Sequence, residues 1–123
     1  MIIDHIRDLT EFWRFYNQYP MPEDVQYSFE FLVENPNLYC FYDEQTGELK
    51  AYITMQKENG FLTLSGASCR KNYPDNINAI IRICEAQNKN VWAFTRLKHA
   101  KLLLKKAGFK EIENNKLMRC KNG

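Results

Sequence analysis

Leu9, Trp13 and Tyr16 recur at the i, i+4, i+7 spacing of one helical face, which predicts a helix over Glu11–Asn17 that Tyr19-Pro20-Met21-Pro22 ends. Ahead of it, Ile2, Ile3 and Ile6 suggest a short strand. A second helix is expected to open at Pro22-Glu23-Asp24, since proline suits the first helical position and carboxylates favour a helix N-terminus. Val25, Phe29, Leu32 and Val33 give its stripe, and Asn35-Pro36 closes it. The period then drops to two. Leu38–Tyr42 reads as a strand and Asp43–Gly47 as a turn, and Leu49, Ala51, Ile53 and Met55 alternate with Lys50, Tyr52, Thr54 and Gln56 as in a strand with one buried face. Glu58-Asn59-Gly60 signals another turn, and Phe61–Ala67 a third strand of the meander.

Helix and strand alternate in the second half. Pro74-Asp75 marks a helix start, with Ile77, Ile80, Ile81 and Cys84 as its stripe. Val91–Phe94 is short and continuously apolar, as a central parallel strand is. Leu97, Ala100, Leu103, Leu104 and Ala107 make the last helix stripe, which Gly108 ends. Lys110–Glu113 and Lys116–Lys121 form a hairpin around Asn114-Asn115. The order (β)ααβββαβαββ describes an α/β protein with a mixed sheet and helices on its faces. The crossover helix makes Phe61–Ala67 and Val91–Phe94 parallel neighbours.

The 123 residues suit a single domain, 1–123, and an apolar share of 45% beside 26% charged residues excludes a disordered chain. No apolar run approaches the ~20 residues of a membrane span, and the first residues lack the apolar stretch of a signal peptide. Cys40, Cys69, Cys84 and Cys120 form no CxxC or Cys/His cluster, so free thiols in a cytoplasmic protein without a metal site are expected.

Charge changes this outline. Residues 1–60 carry eleven acids against four Lys/Arg, a net of −7, and residues 61–123 carry four against thirteen, a net of +9. Such asymmetry suits an anionic ligand, nucleic acid or an acidic partner at the second half, although internal neutralisation leaves the same pattern. Opposite ends of one molecule attracting the next would give head-to-tail assembly rather than a closed twofold dimer.

The element order and the run Leu97-Lys-His-Ala100-Lys-Leu-Leu103-Leu104-Lys-Lys-Ala-Gly108-Phe109 resemble the GNAT (Gcn5-related N-acetyltransferase) superfamily, with its acyl-CoA N-acyltransferase fold. The family's last motif commonly reads Asn-x-x-Ala-x-x-Leu-Tyr-x-x-x-Gly-Phe, and Ala100, Leu103, Gly108 and Phe109 match it in register. The resemblance covers residues 37–121 well and the first helices by topology only. It implies that Leu64, Ser65, Gly66, Arg70, Lys71, Asn72 and Tyr73 would hold acetyl-CoA, if the chain is an enzyme. It also reaches small degenerate members found in tailed-phage genomes, with which the Asn-, Lys-, Ile- and Tyr-rich composition is compatible and which would place the protein in host cytoplasm or a virion.

Departures from the family fall on the chemistry. Its phosphate loop reads Gln/Arg-x-x-Gly-x-Gly/Ala, and loop amides with the next helix N-terminus hold the pyrophosphate. Here Arg70 matches, but Tyr73 and Asp75 stand in the glycine positions and Pro74 removes an amide donor. Leu97 replaces the usual Asn, and Leu104 the Tyr that often protonates the leaving thiolate. No catalytic residue is identified: Thr63, Ser65 and Ser68 lack a base beside them, and Glu58 falls in a turn.

Other residues give weaker signals. Cys69 beside Arg70 and Lys71 could be reactive, but neither His5 nor His99 is near it in sequence. Arg96, Lys98, Lys101, Lys105, Lys106 and Lys110 make a basic helix face that could meet phosphates, with no aromatics among the lysines for base stacking. Rings are dense between Phe12 and Tyr42, enough for a core and a partner surface. Three functions therefore compete: a non-catalytic, partner-binding or self-associating protein with a degenerate acetyl-CoA loop; an atypical acetyl-CoA-dependent N-acetyltransferase; and a nucleic-acid-associated protein.

Overall fold

A computed structural model describes residues 2–21, 27–58, 61–69, 76–87 and 89–121, with side chains for all but 57–58, 61–69 and 76 of these. Elements follow in the expected order: β1 (Ile2–Asp4), α1 (Leu9–Gln18), α2 (Phe29–Glu34), β2 (Leu38–Tyr42), β3 (Leu49–Glu58), β4 (Phe61–Cys69), α3 (Asn76–Gln87), β5 (Val91–Phe94), α4 (Lys98–Lys106), β6 (Lys110–Glu113) and β7 (Lys116–Arg119). Hydrogen bonding links the strands as β1-β2-β3-β4-β5-β7-β6. Two compact units divide the chain, Met1–Thr54 with Gly66–Pro74, and Met55–Ser65 with Asp75–Gly123. Among the described residues no helix is long and apolar enough to cross a membrane.

In the first unit, β1 pairs antiparallel with β2, and β2 with β3. Asp43 shapes the β2–β3 turn: its Oδ1 accepts from the Gln45 and Thr46 amides at 2.8 and 2.9 Å, and Gly47 takes φ +72°. Those two N–H donors hold the Asp43 carboxyl below its ordinary value. Asp8 caps α1 by accepting from the Thr10 and Glu11 amides, an arrangement worth about 1 kcal/mol. Ser28 caps α2 through the Phe31 amide. Of the helix expected from Pro22, Pro22-Glu23-Asp24 and Val25 lie outside the described residues, and the stretch carrying Phe29, Leu32 and Val33 is a separate helix that begins after Ser28.

Two buried faces replace the single one expected of β3. Ala51, Ile53 and Met55 are buried, and so are Tyr52 and Thr54 of the alternate set. Tyr52 takes the Phe12 and Phe15 rings edge-on, at 5.1 and 6.0 Å between centroids. The alternation reported side-chain polarity, but Tyr and Thr are amphipathic enough to be covered by a helix.

That contact also corrects α1. Its buried residues are Phe12 and Phe15, while Leu9 and Trp13 of the expected stripe are 55% and 49% exposed. The helix carries two apolar faces and the sheet takes only one. Glu11 fixes which, since its Oε2 accepts from the Leu49 amide at 3.1 Å.

In the second unit, β4 and β5 are parallel, β5 and β7 antiparallel, and β6 and β7 form the terminal hairpin. Ala79, Ile80, Ile83 and Cys84 are the buried face of α3, so Ile77 and Ile81 sit at its margin rather than its centre. Asn115 turns the hairpin at φ 65°, and β7 ends at Arg119, short of the expected Lys121. Glu58 is the last residue of β3 rather than part of a turn.

The end of α4 accounts for Gly108-Phe109. Gly108 takes φ +97°, the Phe109 amide donates to the Leu104 carbonyl at 3.0 Å and the Gly108 amide to Lys105 at 3.1 Å. Glycine is wanted where the chain turns left-handed, and Phe109 then buries beside Leu104.

Candidate functional site

Ligands of α/β sheets bind outside the carboxyl ends of parallel strands, which here means β4 and β5. Leu62, Thr63 and Leu64 lie opposite Val91, Trp92 and Ala93. Ser65 and Gly66 continue β4 beyond that stretch toward Cys69. Leu64, Ser65 and Gly66, the strand part of the expected cofactor set, thus lie together in the middle of β4. Arg70, Lys71, Asn72 and Tyr73, the loop part, lie outside the described residues, as do Pro74 and Asp75.

After β5, Thr95 is buried and its amide donates to the Asn115 carbonyl at 3.0 Å, while its hydroxyl accepts from the Leu97 amide at 3.2 Å. Leu97 is the N-cap of α4 and offers no side-chain cap. Leu104 is buried, at the position where the resemblance places a proton donor. His99 on the same helix is exposed. Among the described residues, then, Leu104 supplies no acid at the position where the resemblance places one, and no step through the cofactor follows from this region.

The basic face of α4 is less free than its sequence suggests. Lys101 and Lys105 both reach Glu111, at 3.2 and 3.4 Å. With the Asn115 amide, they hold the Glu111 carboxyl below its ordinary value. Lys98, Lys106 and Lys110 make no ion pair among the described residues.

Nor do the described buried thiols offer a nucleophile. Burial pushes Cys40 up to about 12 and Cys84 up to about 11, so both stay protonated at neutral pH. Cys120 is free and exposed. Cys69 ends β4, and its side chain lies outside the described set.

A second candidate lies wholly in the first unit, among the N-terminal rings whose number already suggested a partner surface, although the stripe of Leu9, Trp13 and Tyr16 did not show which face of the helix is exposed. Leu9 and Trp13 make an exposed apolar strip along α1, and Tyr16 beside them is half-buried against the core. Phe29 of α2 meets the Trp13 ring edge-on at 4.9 Å and the Tyr16 ring at 5.9 Å. The Tyr16 hydroxyl donates to the Tyr27 carbonyl at 2.7 Å, and Tyr27 stacks on Phe31 at 4.8 Å. At the Leu9 end the strip opens into a cleft of about 520 Å³, lined also by Ile6, Leu32, Val33 and Leu38, with His5, Arg7 and Glu34 at its polar parts. Arg7 is held there by Asp4 at 3.0 Å and lies over the Tyr42 ring at 4.6 Å. The available signal was Phe12 and Phe15, a second apolar set on the same helix.

No family model matches the sequence, and no curated protein matches it by sequence. Solved structures do resemble it in shape. The NatB acetyltransferase complex bound to CoA and MES contains a chain that aligns over 98% of this one and 99% of its own length, at 11% identity and a TM-score of 0.66. Tetrahymena Gcn5 aligns over 98% and 96% at 11% identity and a TM-score of 0.65. The ribosomal-protein-S18-alanine N-acetyltransferase from Escherichia coli aligns over 95% and 88% at 16% identity and a TM-score of 0.63. With the strand order and the parallel β4–β5 pair, these likenesses establish that the chain has the GNAT acetyltransferase fold.

Proposed function

We propose that this GNAT-fold protein works by binding a protein partner through α1 and α2 rather than by transferring acetyl groups. The observation that carries the reading is the exposed apolar strip of Leu9, Trp13 and Phe31, flanked by half-buried Phe29, with Trp13 left 49% exposed. Exposed aromatics gathered in one patch are what interface centres use, and a lone domain gains nothing by leaving them in water. The similar NatB chain is itself part of a complex. Buried Leu104, Leu97 without a cap, and the sequence Tyr73-Pro74-Asp75 all weigh against coenzyme chemistry.

The alternative is an atypical N-acetyltransferase that holds acetyl-CoA at Leu64, Ser65 and Gly66 with the loop Arg70–Tyr73 and acts on an amine; the fold favours it. A nucleic-acid role is weakened because Lys101 and Lys105 are already paired with Glu111. Calorimetry with acetyl-CoA separates the first two readings. No binding in the micromolar range is expected, and Tyr73→Gly with Asp75→Gly should strengthen binding by restoring backbone approach and removing a charge. Low-micromolar binding by the unmodified protein, with acetyl transfer to any amine, overturns the proposal.

A further inference from the structure

We propose that the partner of the α1–α2 strip is helix α4 of a second copy of this chain, so that copies associate head to tail. The inference rests on the partner-binding reading and names its occupant.

Both surfaces are visible in one molecule. The outward face of α4 has a single large apolar residue, Leu102, 52% exposed. Lys98, Lys105 and Lys106 lie four before it, three after it and four after it, so they ring it on the helix surface. All three are exposed, and Lys98 and Lys106 make no ion pair among the described residues. An apolar centre inside a cationic rim calls for an apolar strip with an anionic border. The α1–α2 face offers such a strip with its acids on α2, while α1 carries the exposed Arg14 next to Trp13 in sequence. Trp13 and Phe29 form its middle, and Glu30 and Glu34, one turn apart on α2, are exposed and make no ion pair among the described residues.

Lengths agree as well. Ten residues of α1 and nine of α4 span about 15 and 14 Å at 1.5 Å per residue. Lysine over an aromatic ring adds attraction of the kind Lys116 already makes with Trp92 at 4.7 Å. Each copy carries one strip and one outward α4. The contact is therefore between unlike surfaces, and a twofold closing on identical patches is not what it builds. The charge split of −7 and +9 between residues 1–60 and 61–123 supplies the long-range attraction.

Sedimentation of the full chain at low salt should show a mass rising with concentration, and high salt should lower it, because screening shortens the reach of rim charges. Trp13→Ala and Leu102→Glu should each weaken association about tenfold or more. Mixed one to one, these two variants should form a dimer that grows no further, since one keeps a working helix and the other a working strip. As a check independent of the apolar centre, Glu30→Lys with Glu34→Lys should dissociate the copies, as should Lys98→Glu with Lys106→Glu, and all four together should restore association. A wild type that stays monomeric at every concentration overturns the inference, as does a mixture that stays monomeric or an assembly that none of these changes affects. Acetyl-CoA calorimetry judges the underlying reading separately: a monomer that binds no acetyl-CoA keeps the partner-binding function and removes only this occupant.

Discussion

Arg119 of β7 donates from Nε to the carbonyl of Ala107 at 3.0 Å, and so closes the C-terminal end of α4. The residue is 8% exposed, and its other guanidinium edge meets Glu85 of α3 at 3.4 Å. A cation at a helix C-terminus is favoured by the macrodipole and here also satisfies a carbonyl the helix leaves open. Arg119→Ala is expected to cost about 1–3 kcal/mol, because a buried carbonyl loses a charged donor. Urea unfolding measures it. Arg119→Lys should recover only part, since a point ammonium cannot serve both partners as a planar fork does.

Gly108 is tied to the same residue. A Cβ there would sit 3.1 Å from Arg119 Nε, and the φ of +97° strains any L side chain. Gly108→Ala should therefore destabilise by about 1–2 kcal/mol. In the Arg119→Ala background the cost should be smaller, because the two residues touch and their effects do not add. A double-mutant cycle by urea unfolding checks the coupling.

Glu111 makes stability depend on acid. The Asn115 amide and the Lys101 and Lys105 ammonium groups lower its pKa from 4.5 in the folded chain. A lowered folded value means the contribution is present above the unfolded pKa and is lost as pH falls through the folded one. Wild type should exceed Glu111→Gln in urea midpoint at neutral pH, and the gap should close as pH drops below 4.5. A gap that stays constant into acid would show that the charge has no part in it.

Thiol labelling should be selective. At neutral pH iodoacetamide is expected to modify Cys120 while sparing Cys40 and Cys84, whose thiols burial holds at about 12 and about 11. Peptide mass analysis reads each site. Urea should bring Cys40 and Cys84 to the rate of Cys120.

The two faces of α1 should respond very differently to truncation. Phe12→Ala empties a fully buried site against Tyr52 and should cost about 3–5 kcal/mol. Trp13→Ala, although a larger side chain is removed, should cost well under half of that, because the ring is already 49% exposed. Equal losses would mean that the strip is part of the core and would remove the docking surface.

Element order was readable because each element writes its own period and punctuation, with Asp43–Gly47 and Asn114-Asn115 at turns and Gly108 after α4, whereas the caps Asp8 and Ser28 were not read from the sequence. The parallel β4–β5 pair followed from the helix between them, and the likeness to GNAT proteins from the Ala100-to-Phe109 run. Such signals are local, and the backbone conformation they demand depends little on what packs later. Three matters had no local signature. Which apolar face of α1 is buried depends on Tyr52, forty residues away in sequence from Phe12. Whether Lys101 and Lys105 are free cations depends on Glu111, which arrives only when β6 folds back beside α4. The role of Arg119, one basic residue among thirteen in its half of the chain, depends on the carbonyl of Ala107 coming within 3.0 Å. Periodicity identifies apolar faces and charges that need a partner. Only tertiary packing decides which of them the chain itself satisfies, because burial and pairing are contests between distant groups for the same limited contacts.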